Sequence, residues 1–138
     1  MALNTQLSDA AANAACNAVT VLANGGSIKL YSGTQPTNGN TAVGAQVLLA
    51  TLTLSATAFA AAVGGVATAN AITPATIAVS GTATWFRVLK SDGVSVIFDG
   101  SIGIGTSGCN YNMNSNVLSA GATAAMTGLT YSIVEAGA

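Results

Sequence analysis

The spacing of apolar positions changes period once along the chain. From Ser8 to Asn24 they recur at three- and four-residue intervals: Ala12, Ala15, Cys16, Val19, Leu22 and Ala23. That spacing gathers them on one face of a helix and predicts one over 8–24. Ser8 offers an N-cap oxygen, Asp9 sits at the positive end of the helix dipole, and Leu7 precedes the cap, where a staple residue belongs. Asn24-Gly25-Gly26 supplies the stop. The face is mostly alanine and buries little area, so the helix is expected to need a partner surface.

After Gly26 the period falls to two. "SIKLYS" alternates, with Ile28 and Leu30 on one side and Lys29 and Tyr31 on the other. "GTQPTNGNTAVG" reads as a surface loop. "AQVLLATLTLSAT" is the longest predicted strand, with Leu48, Ala50, Leu52 and Leu54 on one face and Val47, Leu49, Thr51, Thr53 and Ser55 on the other. Val63-Gly64-Gly65-Val66 suits a tight hairpin, although the alanines around it weaken the strand signal. "TIAVSG" is a short strand, and Leu129, Tyr131 and Ile133 alternate near the end. "WFRVLK" and "VSVIFDG" flank "SDG" and predict a hairpin. A two-residue turn at Asp92-Gly93 would pair Leu89 with Val96 and Arg87 with Phe98. A three-residue loop would pair Lys90 with Val94 and Phe86 with Phe98; both registers fit. Short strands with regular turns indicate a mainly β fold: an antiparallel sandwich or barrel-like domain with one N-terminal helix. One domain over 1–138 is expected, with an arm at 1–7, the helix at 8–24 and the β part at 27–135.

Charge changes the picture. Only 5% of residues are charged, seven side chains in 138 residues, with a net charge of −1; ordinary domains carry about 25%. So little charge leaves the surface to be solvated by hydroxyls and amides or covered by neighbouring subunits. Three cations make no nucleic-acid footprint. No run of 18 apolar residues predicts a membrane helix. Three Phe, three Tyr and one Trp are too few for the two aromatic girdles of a membrane barrel as well as a core. "MALNTQ" lacks the basic start of a signal peptide, so folding in a cytoplasm is expected.

Candidate chemistry is sparse. The chain has no histidine, the commonest general base and metal ligand. Cys16 and Cys109 have no metal-like spacing and read as free thiols, with a disulfide between them as the alternative. "GIGTSG" (103–108) matches G-x-G-x-x-G, but "CNYNMNSN" follows it rather than an amphipathic helix, so its glycines predict a bent loop. Asp99 and Glu135 are the carboxylates left unexplained by a cap or a turn; each is expected to be exposed or paired with a cation. No catalytic, cofactor or metal residue is assigned. The 82–100 hairpin gathers four of the seven charges beside Trp85 and carries large apolar groups on both faces. One face is expected to pack inward and the other to lie near another molecule.

"KLYSGTQP", "QVLLATLTLSATAFAA", "GVATANAI" and "GTATWFRVLKSDG" together resemble a family of small tailed-bacteriophage proteins, over about residues 26–135. Where relatives carry an "LNYN"-like segment, this chain has "CNYNMNSN". The resemblance implies a virion structural protein of the head or head–tail region and brings no catalytic motif. The resemblance does not say which part of the particle; small size, near absence of charge, lack of chemistry and the need for neighbours point to a capsid decoration or cement protein, binding the major capsid protein and copies of itself on the outer capsid surface. Nucleic acid and membrane are not expected partners, and no cofactor is expected. A tail or head–tail connector component is one alternative; a host-glycan adhesion module using Trp85 and Tyr111 is another. The expected subunit-contact residues are Leu3, Leu7, Tyr31, Trp85, Phe86 and Tyr111, with the 1–7 arm and the 33–45 loop reaching out.

Overall fold

The computed structural model describes residues 7–105, 108–113 and 115–133. Helix α1 spans Asp9–Thr20, and one 3₁₀ turn, Val21–Ala23, extends it. Ser8 caps it, its Oγ accepting from the Ala11 N–H at 3.1 Å. Ala12, Cys16, Thr20 and Ala23 are buried, whereas Leu22 is largely exposed. The 3₁₀ turn winds more tightly than the α-helix and carries Leu22 off the apolar face.

Twelve strands follow among the described residues: β1 (Ser27–Ser32), β2 (Val47–Leu54), β3 (Val66–Thr68), β4 (Ile72–Thr73), β5 (Ala75–Thr76), β6 (Gly81–Thr82), β7 (Trp85–Leu89), β8 (Val96–Ile104), β9 (Tyr111–Met113), β10 (Val117–Leu118), β11 (Thr123–Ala124) and β12 (Thr130–Ser132). Six form one sheet in the order β4-β2-β1-β7-β8-β9. The expected mainly β fold with one N-terminal helix is what forms. Every strand pair is antiparallel except β8 with β9. Parallel neighbours usually need a long crossover. Here β9 meets only the last three residues of β8, so the chain steps back a short way, and Asn110 ties the step down. Its Oδ1 accepts from the Ser101 N–H and hydroxyl.

β2 contains a bulge. Leu30 pairs with Ala50 but Tyr31 pairs with Leu48, so Leu49 is the extra residue. Strict alternation assigns Leu49 to the outer face; the bulge turns it into the core instead, where it is fully buried.

The remaining strands build a second layer. Val63 and Val66 exchange both backbone hydrogen bonds across Gly64 and Gly65. Both glycines have positive φ, 60° and 75°, as a type I′ hairpin turn requires. β5 and β6 pair with β11 and β10 in a single register, since Ala75 faces Ala124 and Gly81 faces Leu118. The stretch between is held by Ile77 N–H to Ala122 O and Gly121 N–H to Ile77 O, both at 2.8–2.9 Å. These two small sheets are one interrupted ribbon of 75–82 against 117–124. β3 paired with β12 continues it. Ile77, Leu118, Ala124, Met126 and Leu129 from this layer share one buried cluster with Leu30, Leu52, Phe86 and Ile102 of the large sheet.

An asparagine rail joins helix to sheet. Asn13, Asn17 and Asn24 lie on one side of the helical segment. Their Oδ1 atoms accept from the backbone N–H groups of Gly65, Ala62 and Ala58, at 2.8–2.9 Å. Side-chain amides thus do for 58–65 what a neighbouring strand would otherwise do.

Candidate functional site

The 85–104 hairpin sits at the centre of the large sheet; it keeps the Leu89–Val96 pairing expected of a two-residue turn and then departs from both alternatives. Gly93 N–H bonds to Lys90 O in a β-turn, Lys90 N–H bonds to Ser95 O, and Leu89 faces Val96. A bulge then shifts the pairing, so that Val88 faces Phe98 and Arg87 faces Asp99. Asp92 closes the turn by accepting from the N–H groups of Val94 and Ser95 and from the Ser95 hydroxyl. The Ser95 hydroxyl bond, then the two amides, hold its carboxyl down at about 2.

The bulge makes the ion pair. Arg87 Nε and Nη2 donate to the two oxygens of Asp99 at 2.6 and 2.8 Å, and both side chains are about 5% exposed. This bidentate fork is the strong form of a carboxylate–guanidinium contact. The bond to Asp99 pushes the Arg87 pKa further up, against the effect of burial. Nη2 also donates to Thr41 O at 2.8 Å. That contact draws the 33–46 loop across the outer face of the sheet. Gln46 closes the neck of the loop, accepting from Gly44 N–H and donating to Thr34 O. Beside the pair, Tyr31 and Trp85 stack with centroids 4.4 Å apart and planes 11° from parallel. The Arg87 guanidinium lies 5.4 Å from the Trp85 ring centre. The Trp85 indole N–H is buried without a hydrogen-bond partner. Burial raises the Tyr31 pKa.

All five residues of β7 are buried. Phe86 packs inward, edge-on to Phe98, and lies over Gly100, where any Cβ would overlap its ring. The outer face expected to meet another molecule is therefore closed by the chain itself, through the 33–46 loop and the Tyr31 stack. Of the residues expected at subunit contacts, Leu3 lies outside the described residues and Leu7 is 40% exposed. Tyr31, Trp85 and Phe86 are enclosed within their own chain, and Tyr111 is 9% exposed. The 33–45 loop anchors on its own sheet through Thr41, with 41–45 left on the surface. Alternation could not reveal this, because a loop folding back over a sheet face leaves no periodic trace.

Both cysteines are free. Cys16 is buried and Cys109 half-buried. Burial raises the Cys16 pKa, and its thiol donates to Tyr131 O at 3.4 Å. Gly103 and Ile104 belong to β8, and strand β9 follows the loop instead of a helix, so "GIGTSG" has no helix N-terminus to offer a phosphate. Among the described residues, no cluster of three or more His, Cys, Asp or Glu side chains could hold a metal ion. No helix among them is long and apolar enough to cross a membrane.

A well-formed concavity lies elsewhere. A groove of about 500 Å³ runs along the outer segment of the ribbon, between 117–125 and β9. Ile77, Tyr111, Val117, Thr123 and Thr127 are among its lining residues, none of which carries a charge. Tyr111 Oη accepts from Thr127 N–H at 2.6 Å, which fixes the ring at the groove wall. No protein-family model, curated protein or solved structure matches this chain.

Proposed function

We propose that this protein is a structural subunit of a tailed-bacteriophage particle, and within that class a decoration or cement protein seated on the major capsid lattice. One observation supports the reading most directly: the only ion pair seen among the described residues, Arg87–Asp99, is sealed inside. Two of the chain's seven charges are thereby withdrawn from a surface already poor in them. That surface instead exposes Val21, Leu22, Val47, Val63, Val94 and Val117 among alanines, hydroxyls and amides. Such a surface is suited to cover by neighbours rather than to a freely diffusing monomer. The function is mechanical: each copy buries area at seams between capsid subunits, and burial at about 25 cal/mol per Å², repeated over many copies, stabilises the shell.

The resemblance over 26–135 supports the virion assignment, and the decoration role is the finer part of the proposal. A host-glycan module built on Trp85 and Tyr111 is disfavoured, because Trp85 is stacked and enclosed while the Tyr111 hydroxyl is engaged. The test is the protein composition of purified particles, before and after mild chemical stripping. A copy number comparable to that of the major capsid protein, with weaker heads after stripping, is expected. A ring-sized copy number would shift the assignment to a connector, and absence from the particle would overturn it.

A further inference from the structure

We infer that the groove between the ribbon and β9 is a strand-acceptor site, filled by residues 1–6 of a second copy of this chain. Three observations carry this. First, among the described residues the outer segment of the ribbon pairs on one side only: β10 with β6 and β11 with β5. Its other edge borders the groove. Edge strands usually carry charge or proline against unwanted pairing, yet no residue lining this groove is charged or proline. An edge so unprotected suits strand addition, in which main-chain bonds hold the peptide and small pockets select its side chains.

Second, the groove is matched to an uncharged guest. Its lining mixes hydroxyls and amides with Ile77, Val117 and Leu118. "MALNTQ" has no charged side chain, one larger aliphatic side chain, Leu3, and three polar residues. The last five residues carry Glu135 and suit this lining less well. Six extended residues reach about 20 Å, comparable to the eight-residue edge they would line.

Third, the start of the helix and the groove lie apart along the ribbon. The helix starts at the far end of the ribbon from the groove. There Asn13 holds Gly65, and Ile133 N–H bonds to Gly65 O. Leu7, the first described residue, lies next to that helix start and the groove lies along 117–125, an arrangement that favours a neighbour's arm over the chain's own. Arms exchanged in this way join unlike surfaces and form rings or open arrays.

The inference deepens the particle reading by naming one contact, and the isolated protein tests it independently of particle composition. Two proteins with one added cysteine each would be mixed, both in a Cys109→Ser background that keeps only the buried Cys16: one Leu3→Cys, the other Thr123→Cys. A mixed disulfide dimer is expected as the main product, with loss of that product when Val21→Cys, on the exposed helix face, replaces Thr123→Cys. In parallel, a fluorescent MALNTQ amide should bind protein lacking residues 1–6, and Ala122→Lys should abolish that binding while leaving the melting curve unchanged. Equal crosslinking to Thr123→Cys and Val21→Cys would overturn the inference. So would an intramolecular bond in the Leu3→Cys/Thr123→Cys double variant, or no peptide binding by the shortened protein.

Discussion

Arg87 and Asp99 show how one residue's position decides another's chemistry. A single bulged residue in β8 sets them opposite each other, and burial then makes the pair obligatory. Removing one partner strands the other charge in a dry site. Asp99→Ala is therefore expected to cost about 3–5 kcal/mol in chemical denaturation. Arg87→Met/Asp99→Leu should recover most of that loss, because no charge is left to desolvate. A double variant as unstable as the single would show that the fork itself, and not the stranded charge, dominates. Asp92 makes the opposite kind of contribution. Its folded pKa of about 2 lies below the unfolded value of about 3.9, so its bonds stabilise the turn fully above that unfolded value. The stabilisation is lost as pH falls from about 4 through about 2. Carboxyl NMR titration of Asp92 should give its midpoint there, and Ser95→Ala should move it upward.

At the scale of elements, the asparagine rail matters more than helix propensity. The helix buries mainly Ala12, Cys16, Thr20 and Ala23, small groups with little apolar area. Its hold on the sheet therefore depends heavily on Asn13, Asn17 and Asn24 and the amides they accept. Asn17→Ala leaves the Ala62 N–H without its partner and should cost about 1–3 kcal/mol. Asn17→Asp keeps the accepting oxygen and should stay close to the parent. Hydrogen exchange at Ala62 separates the two outcomes, with protection lost in the first variant and retained in the second.

For the whole molecule, scarcity of surface charge sets how it should associate. Contacts made by alanines, valines and hydroxyls have little Coulomb energy for salt to screen. Attachment to the proposed particle should therefore survive about 1 M NaCl, where screening is nearly complete, and sulfate should strengthen it. Release of the protein by NaCl alone, measured by sedimentation of washed particles, would mean that the few remaining charges carry the contact.

Much of this architecture was legible in the chain. The N-terminal helix with its Ser8 cap, the change of period at Gly26, the Val63–Val66 turn and the hairpin within 82–100 all follow from local rules, whereas the extension of β8 to Ile104 does not. Their causes lie within a few residues: a cap oxygen, a positive-φ glycine, an alternating face. What only the tertiary structure decided has non-local causes. The bulges at Leu49 and Ile97 depend on which strands become neighbours, and they put Leu49 in the core and Asp99 opposite Arg87. The closing of the 33–46 loop over the outer face depends on a guanidinium reaching a carbonyl 46 residues away. The ribbon, the rail and the charge-free groove join segments distant in sequence, and no periodicity records which of them will meet. The chain alone thus determined its elements and its poverty of charge; packing decided which faces were left for another molecule.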